Sequence, residues 1–168
     1  MSMADASLMF SIASVKIDTV GQSSFTTDLG VTKGGATLTQ SVDKIDIKSD
    51  QNSDPVAKVI LKAPKTLKLN LLDASPSNLA LAFGGAVNAD GVTVEIPNLV
   101  AGTEKAIKIT TKPVNNVYYE IIVKRGLITG ASELTMNSSD ASAIPLDIKV
   151  LKPSSGATVT IEKKTVEV

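Results

Sequence analysis

The segment Asp50-Gln51-Asn52-Ser53-Asp54 opens like a calcium-binding loop, with oxygen-bearing side chains at alternate positions. A full loop of that kind requires glycine at its sixth position and glutamate at its twelfth. Pro55 and Leu61 stand there instead, so no metal is expected and the stretch reads as a solvated hairpin tip. Paired carboxylates could serve acid–base chemistry. Most Asp and Glu here, however, alternate with apolar residues, as on a solvated strand face. No Ser-x-x-Lys stretch opens a helix-like run. Lys33-Gly34-Gly35 lacks the frame of a phosphate loop and precedes a strand pattern instead of a helix. The chain has no Cys and no His, which removes disulfides, the usual zinc, haem and iron–sulfur ligand sets, and the His-based nucleophilic triads. An enzyme is not expected, and neither is a cofactor.

The elements that carry these residues are mostly strands. Val, Ile and Thr number 17, 14 and 16, so 47 of 168 residues are β-branched. Lys and Arg total 17 and so do Asp and Glu, a balance unsuited to binding nucleic acid by phosphate neutralisation. Only Phe10, Phe25, Phe83, Tyr118 and Tyr119 are aromatic; a β domain with so thin a core is expected to associate with copies of itself. Met1–Phe10 has no basic leader region, and no run approaches the roughly 18 apolar residues of a membrane helix. The expectation is a chain made and assembled in a cytoplasm, without a membrane partner. Asn137-Ser138-Ser139 fits a glycosylation sequon but has no meaning without a secretory route.

Alternation places a first strand over Val15–Val20 and a turn over residues 21–24. The glycine pair Gly34-Gly35 reads as a sharp turn. Residues 36–71 then read as one long antiparallel hairpin with the 49–55 loop at its tip. Ile45 and Ile47 share one face, and Lys44, Asp46 and Lys48 the other. Leu67, Leu69 and Leu71 likewise oppose Thr66, Lys68 and Asn70. The apolar faces are expected to pack inward against a helix or a second sheet.

At Ser75 the period changes. Ser75 suits an N-cap, Pro76 the first helical position and Gly84 the left-handed C-terminal residue, which predicts a short helix over 76–83. Leu79, Ala82 and Phe83 share one of its faces, so Leu79 and Phe83 are expected to dock it on a sheet. Turn signals at Ala89-Asp90-Gly91 and around Pro113 and Pro153 separate strands expected over 92–96, 106–111, 117–124, 144–151 and 158–163. A further short strand is expected over Glu133–Met136. The whole chain reads as one domain, 1–168, with an arm over about residues 1–14.

Read in order, these pieces resemble the tail tube (major tail) proteins of tailed bacteriophages. The resemblance rests on Leu29-Gly30, Gly34-Gly35, Asp50-Gln51, Pro55-Val56, Leu71-Leu72-Asp73-Ala74 and the run Asn78-Leu79-Ala80-Leu81-Ala82-Phe83-Gly84-Gly85. The last run is the most specific. Val117-Tyr118-Tyr119-Glu120-Ile121-Ile122 and Ala143-Ile144-Pro145-Leu146-Asp147-Ile148 look more loosely like later strands of that family.

The resemblance implies a mainly all-β fold, a β-sandwich or half-open barrel with one short flanking α-helix and a long β-hairpin. It implies hexameric rings stacked into a hollow tube of the virion tail, assembled in the host cytoplasm. That tube holds the tape-measure protein and conducts DNA without reading its sequence. Tail terminator, baseplate or tail-tip proteins, and a sheath protein in a contractile tail, are the further partners implied. Asp50, Gln51, Asn52, Ser53, Asp54 and Pro55 are then the candidate assembly loop. Asp43, Lys44, Asp46, Lys48 and Lys68 are candidates for the lumen wall. Such lumens tend to be acidic, yet Ser41–Leu72 holds six lysines against four aspartates. The tube of a phage-like bacteriocin or secretion system is a close variant. A β-sandwich binding module, an adhesin or a capsid decoration protein, is the alternative of another class.

Overall fold

The computed structural model describes residues 11–50, 52–129, 133–136 and 140–166. Strand makes up 55% and helix 5%, so the fold is all-β with one helix as an accessory. The strands are β1 (Ile12–Asp18), β2 (Thr27–Asp28), β3 (Thr32–Gln40), β4 (Asp43–Ser49), β5 (Asn52–Lys62), β6 (Lys65–Leu71), β7 (Ala86–Val87), β8 (Val94–Glu95), β9 (Thr103–Thr111), β10 (Val117–Ile128), β11 (Ile144–Val150) and β12 (Val159–Thr165). The helix α1 spans Pro76–Phe83, between β6 and β7.

Eight strands form one sheet in the order β2-β1-β9-β10-β11-β6-β3, with β12 also paired to β10. The long strand β10 makes this branching possible. One of its edges carries β9 over Glu120–Ile128. The other carries β12 over Val117–Val123 and then β11 over Gly126–Ile128. The register slips between Val123 and Gly126, and a bulge there bends the strand. Gly126 sits at the bend because a Cβ would lie 2.6 Å from Ile107 Cδ1 and 2.7 Å from Ile148 Cγ2. The sheet therefore folds into two wings around one core. Val15, Ile17, Ile107, Ile109 and Val123 come from one wing, and Leu67, Leu69, Leu71, Ile144, Leu146 and Ile148 from the other. The alternation of β6 and β11 turns one face of each strand into this core.

The helix forms as its sequence signals dictate. The Ser75 hydroxyl accepts from the Asn78 N–H, Pro76 opens the first turn, and Gly84 closes the last at φ 66°.

Several expectations need correction. Gly34 and Gly35 do not reverse the chain. Both have positive φ, 75° and 78°, but they lie inside β3, where the register against β6 shifts between Thr32 and Ala36. A glycine pair serves a bulge as well as a turn because both need left-handed backbone. The 49–55 loop is far shorter than expected, since Ser49 pairs with Asn52 and β5 runs through Asp54 and Pro55. Proline is tolerated because β5 belongs to a two-stranded sheet, where each strand has an edge whose N–H groups need no partner. The strand expected over 92–96 shrinks to Val94–Glu95, and Glu133–Met136 is coil. The first strand starts earlier than expected, and Ile12–Ser14 pair with Thr110 and Thr111 of β9.

Candidate assembly surface

Strands β4 and β5 pair only with each other. The β3–β6 ladder runs in step from Gln40↔Lys65 to Asp43↔Lys62, then slips by one residue to Lys44↔Ile60. Between them, Ser41 donates its N–H to the Pro64 carbonyl at 3.0 Å. Beyond this joint the two strands leave the main sheet as a free ribbon.

Cross-strand pairing sorts the ribbon into two faces. Ile45 opposes Val59 and Ile47 opposes Ala57 on one face; Lys44 opposes Ile60 and Asp46 opposes Lys58 on the other. The apolar faces of the ribbon do not pack inward, contrary to expectation. Ile45, Ile47, Val56, Val59, Ile60 and Leu61 are 44–62% exposed. The main sheet ends before the ribbon does, and among the described residues nothing covers these side chains. The matching apolar face of β6 behaves as expected, with Leu67, Leu69 and Leu71 buried. A lone two-stranded ribbon is marginal in water, and a row of exposed β-branched residues on one is an association surface.

The sequence-expected residues fall on this surface as follows. Asp50 is exposed at the turn, Asp54 and Pro55 are exposed on β5, and Asn52 and Ser53 belong to β5 by backbone. Gln51 lies outside the described residues. Asp43 sits at the ribbon's base, at the register slip. Asp46 pairs with Lys58 at 3.7 Å. Lys68 lies on β6, away from the ribbon, and pairs with Asp147 of β11 at 3.5 Å. Lys44 and Lys48 make no ion pair among the described residues. The ribbon thus groups Lys44, Asp46 and Lys48, whereas Lys68 belongs to a different sheet face.

On the helix, Leu79 and Phe83 are half-buried and pack against the core cluster. The fully covered residues are Asn78, Ala80 and Ala82. Sequence reading missed Asn78 because a polar residue on a helix is ordinarily assigned to solvent.

A second apolar surface went unread. The connection from α1 to β9 shows Val92 and Leu99 to solvent at 74% and 87%, with Ile96 exposed between them. Its signal, five large aliphatics within nine residues of a turn-rich stretch, is visible in Val92–Val100.

Residues 12–165 match the family described as Phage tail tube protein. The chain belongs to that family. The match spans both wings, the ribbon and the helix, and it decides between the tube reading and the adhesin or decoration readings. None of the curated proteins matches the sequence. As a tail tube protein the chain is a structural component of the virion tail and associates with itself and with other tail proteins.

Proposed function

We propose that six copies of this chain close into a ring, and that rings stack into a hollow tube. The tube holds the tape-measure protein during assembly in the host cytoplasm and conducts DNA during ejection. One observation carries the reading: β4 and β5 project from the sheet with their aliphatic residues uncovered. In a ring those residues are covered by neighbouring copies, and the unpaired ribbon edges are covered with them. A head-to-tail contact that closes makes a ring without leaving a free surface. The ribbon's turn, from Asp50 to Pro55, is the part that reaches an adjacent subunit or ring. Tail terminator, tail-tip or baseplate proteins cap the ends of the tube.

The lumen wall carries no net positive charge in this reading. A wall of unpaired lysines would hold DNA phosphates and slow ejection. The Lys58–Asp46 and Lys68–Asp147 pairs support it, and Lys44 and Lys48 require acidic partners from a neighbour.

Negative-stain electron microscopy of the purified protein, alone and with the tape-measure and tail-tip proteins, tests the proposal. Rings with six-fold averages and tubes of stacked rings are expected. A chain that sediments only as a monomer at every concentration and with every partner overturns it.

A further inference from the structure

Among the described residues, β12 pairs only with β10 and β4 only with β5. Each therefore keeps one edge of N–H and C=O groups open, which is a template for a strand of another chain. The β4 edge is also regular. At both register slips within the ribbon the extra residues lie in β5, between Ile60 and Lys62 and between Asn52 and Ala57. β5 carries Pro55 besides, so β4 is the cleaner of the two ribbon edges.

The β12 edge is not arranged for water. Val159 opposes Val123 and packs against the core, and Ile161 opposes Ile121 on the same face. Ile161 is nevertheless 54% exposed, so the apolar row of the core runs to the edge and stops there uncovered. Glu162 and Lys163 beside it are exposed. Glu162 lies 3.6 Å from Lys164 Nζ, an exposed pair that leaves its carboxylate open to a second cation.

β4 carries the complementary series. With the strands antiparallel and Ile161 opposite Ile45, the successive pairs are Val159–Ile47, Thr160–Asp46, Ile161–Ile45, Glu162–Lys44 and Lys163–Asp43. Apolar meets apolar, and each lysine meets a carboxylate. A slip of one residue turns the apolar rows to opposite faces. A slip of two sets Ile161 against Asp43 in one direction, and Glu162 against Asp46 with Lys164 against Lys44 in the other. The parallel sense loses the Lys163–Asp43 pair and departs from ladders that are antiparallel throughout the described fold.

We propose that β4 of one copy adds to the open edge of β12 in the next, antiparallel and with Ile45 opposite Ile161. This rests on the tube reading and names the strand that the ribbon's edge meets. Two different strands join at each contact, so the association is heterologous and forms a ring where its rotation closes.

The chain has no cysteine, so introduced cysteines report contacts without background. Ile45→Cys and Ile161→Cys are purified separately, mixed, assembled and oxidised. A disulfide-linked dimer of one of each is expected, because opposed residues on antiparallel strands bring their Cα atoms to about 4.5–5.5 Å. Charge reversal is the second measurement. Lys44→Glu and Glu162→Lys each set like charges opposite, and each should raise the protein concentration needed for assembly about ten-fold. The double variant K44E/E162K should return it to the parent's value. Lys44 lies on the ribbon, outside the core, so K44E should keep the parent's melting temperature. Normal rings or tubes with no link between Ile45→Cys and Ile161→Cys overturn the inference while leaving the tube reading intact. So does a double variant that assembles no better than the single ones. A link from Ile161→Cys to Ile47→Cys in place of Ile45→Cys overturns the antiparallel register. A parent chain that never forms rings overturns both the inference and the tube reading.

Discussion

The Asn78 side-chain amide donates to the Leu29 carbonyl across 2.9 Å, joining residues 49 positions apart in the chain. It also donates to the Asp73 carbonyl at 3.0 Å. The same knot holds Gly30, whose φ of 81° leaves room beside Asp73; a Cβ there would lie 2.9 Å from Asp73 Cβ. Leu29-Gly30, Leu72-Asp73 and Asn78 all belong to the sequence pieces that resemble tail tube proteins. Their separation in sequence hides one joint that fixes the helix to the chain entering β3.

Replacing Asn78 with Ala removes this donor from the Leu29 carbonyl in a buried setting and from the Asp73 carbonyl in a part-buried one. An orphaned buried polar group costs about 1–3 kcal/mol, so Asn78→Ala should lower unfolding stability by about 2–4 kcal/mol in urea titration. Asn78→Asp should be worse, because it sets a carboxylate against two carbonyl oxygens. A loss below about 0.5 kcal/mol for Asn78→Ala would show that this joint does not hold the helix.

Gly84 combines two demands, a left-handed backbone and contact with Val100. Left-handed conformation alone costs a non-glycine residue about 1–2 kcal/mol. Gly84→Ala should exceed that, since the new methyl group displaces Val100 and with it the Val92–Val100 loop. The variant should therefore melt lower and assemble less well than its stability loss explains. Gly91→Ala is the control, with φ 73° and open space around it; it should show the backbone cost alone. Equal losses at the two positions would remove Val100 from the account.

Most strands and both helix caps were legible because their causes are local. Alternation defines β6 and β11, and Ser75, Pro76 and Gly84 each satisfy a helix terminus by themselves. What was not legible depends on partners distant in sequence. Gly34-Gly35 presents the same left-handed preference for a turn and a bulge, and only the pairing of Thr32 and Ala36 with β6 distinguishes them. Pro55 reads as a strand breaker until β5 is known to have a free edge. Ile45 and Ile47 carry the same periodic pattern as Leu67 and Leu69, yet the first pair is exposed and the second buried. Periodicity tells which residues share a face, and the extent of the opposing sheet decides whether that face is covered within the chain.

Acid should loosen the β10–β12 pairing through Glu120. Its largely buried carboxylate accepts from Lys164 Nζ at 2.5 Å and lies 3.7 Å from Lys108 Nζ. The Lys164 hydrogen bond is the main cause that holds Glu120 below the ordinary glutamate value of 4.5, against the opposing effect of burial. A depressed carboxylate stabilises the fold above its unfolded pKa, and that contribution is lost as pH falls through the lower folded value. Stability should therefore decline below about pH 4.5, and Glu120→Gln should be less stable than the parent at pH 7 but flatter across the acid range. Melting curves from pH 7 to pH 3 check this; parallel curves for parent and variant would exclude Glu120 as the acid-sensitive group.

The ribbon supplies none of the buried side chains of the core, which draws on β1, the Leu29 segment, β6, α1, β9, β10 and β11. Removing it should therefore separate folding from assembly. Asp43 and Lys62 are already paired at its base, so Lys44–Leu61 can be replaced by Asn-Gly, the two-residue link that suits adjacent antiparallel strands. The main sheet, the β3–β6 ladder and the helix remain. Far-UV circular dichroism should still show a β protein, and the melting temperature should stay within a few degrees of the parent's monomer. Assembly should be lost, because the exposed aliphatic face is gone together with Lys44, Lys48 and Lys58. A milder variant sharpens the point: Ile47→Ser with Val59→Ser keeps the backbone, the turn and every lysine while removing apolar surface from both strands. Loss of assembly in both variants assigns the effect to that apolar face. Normal tubes from the chain lacking Lys44–Leu61 would mean that the copies associate through another surface altogether.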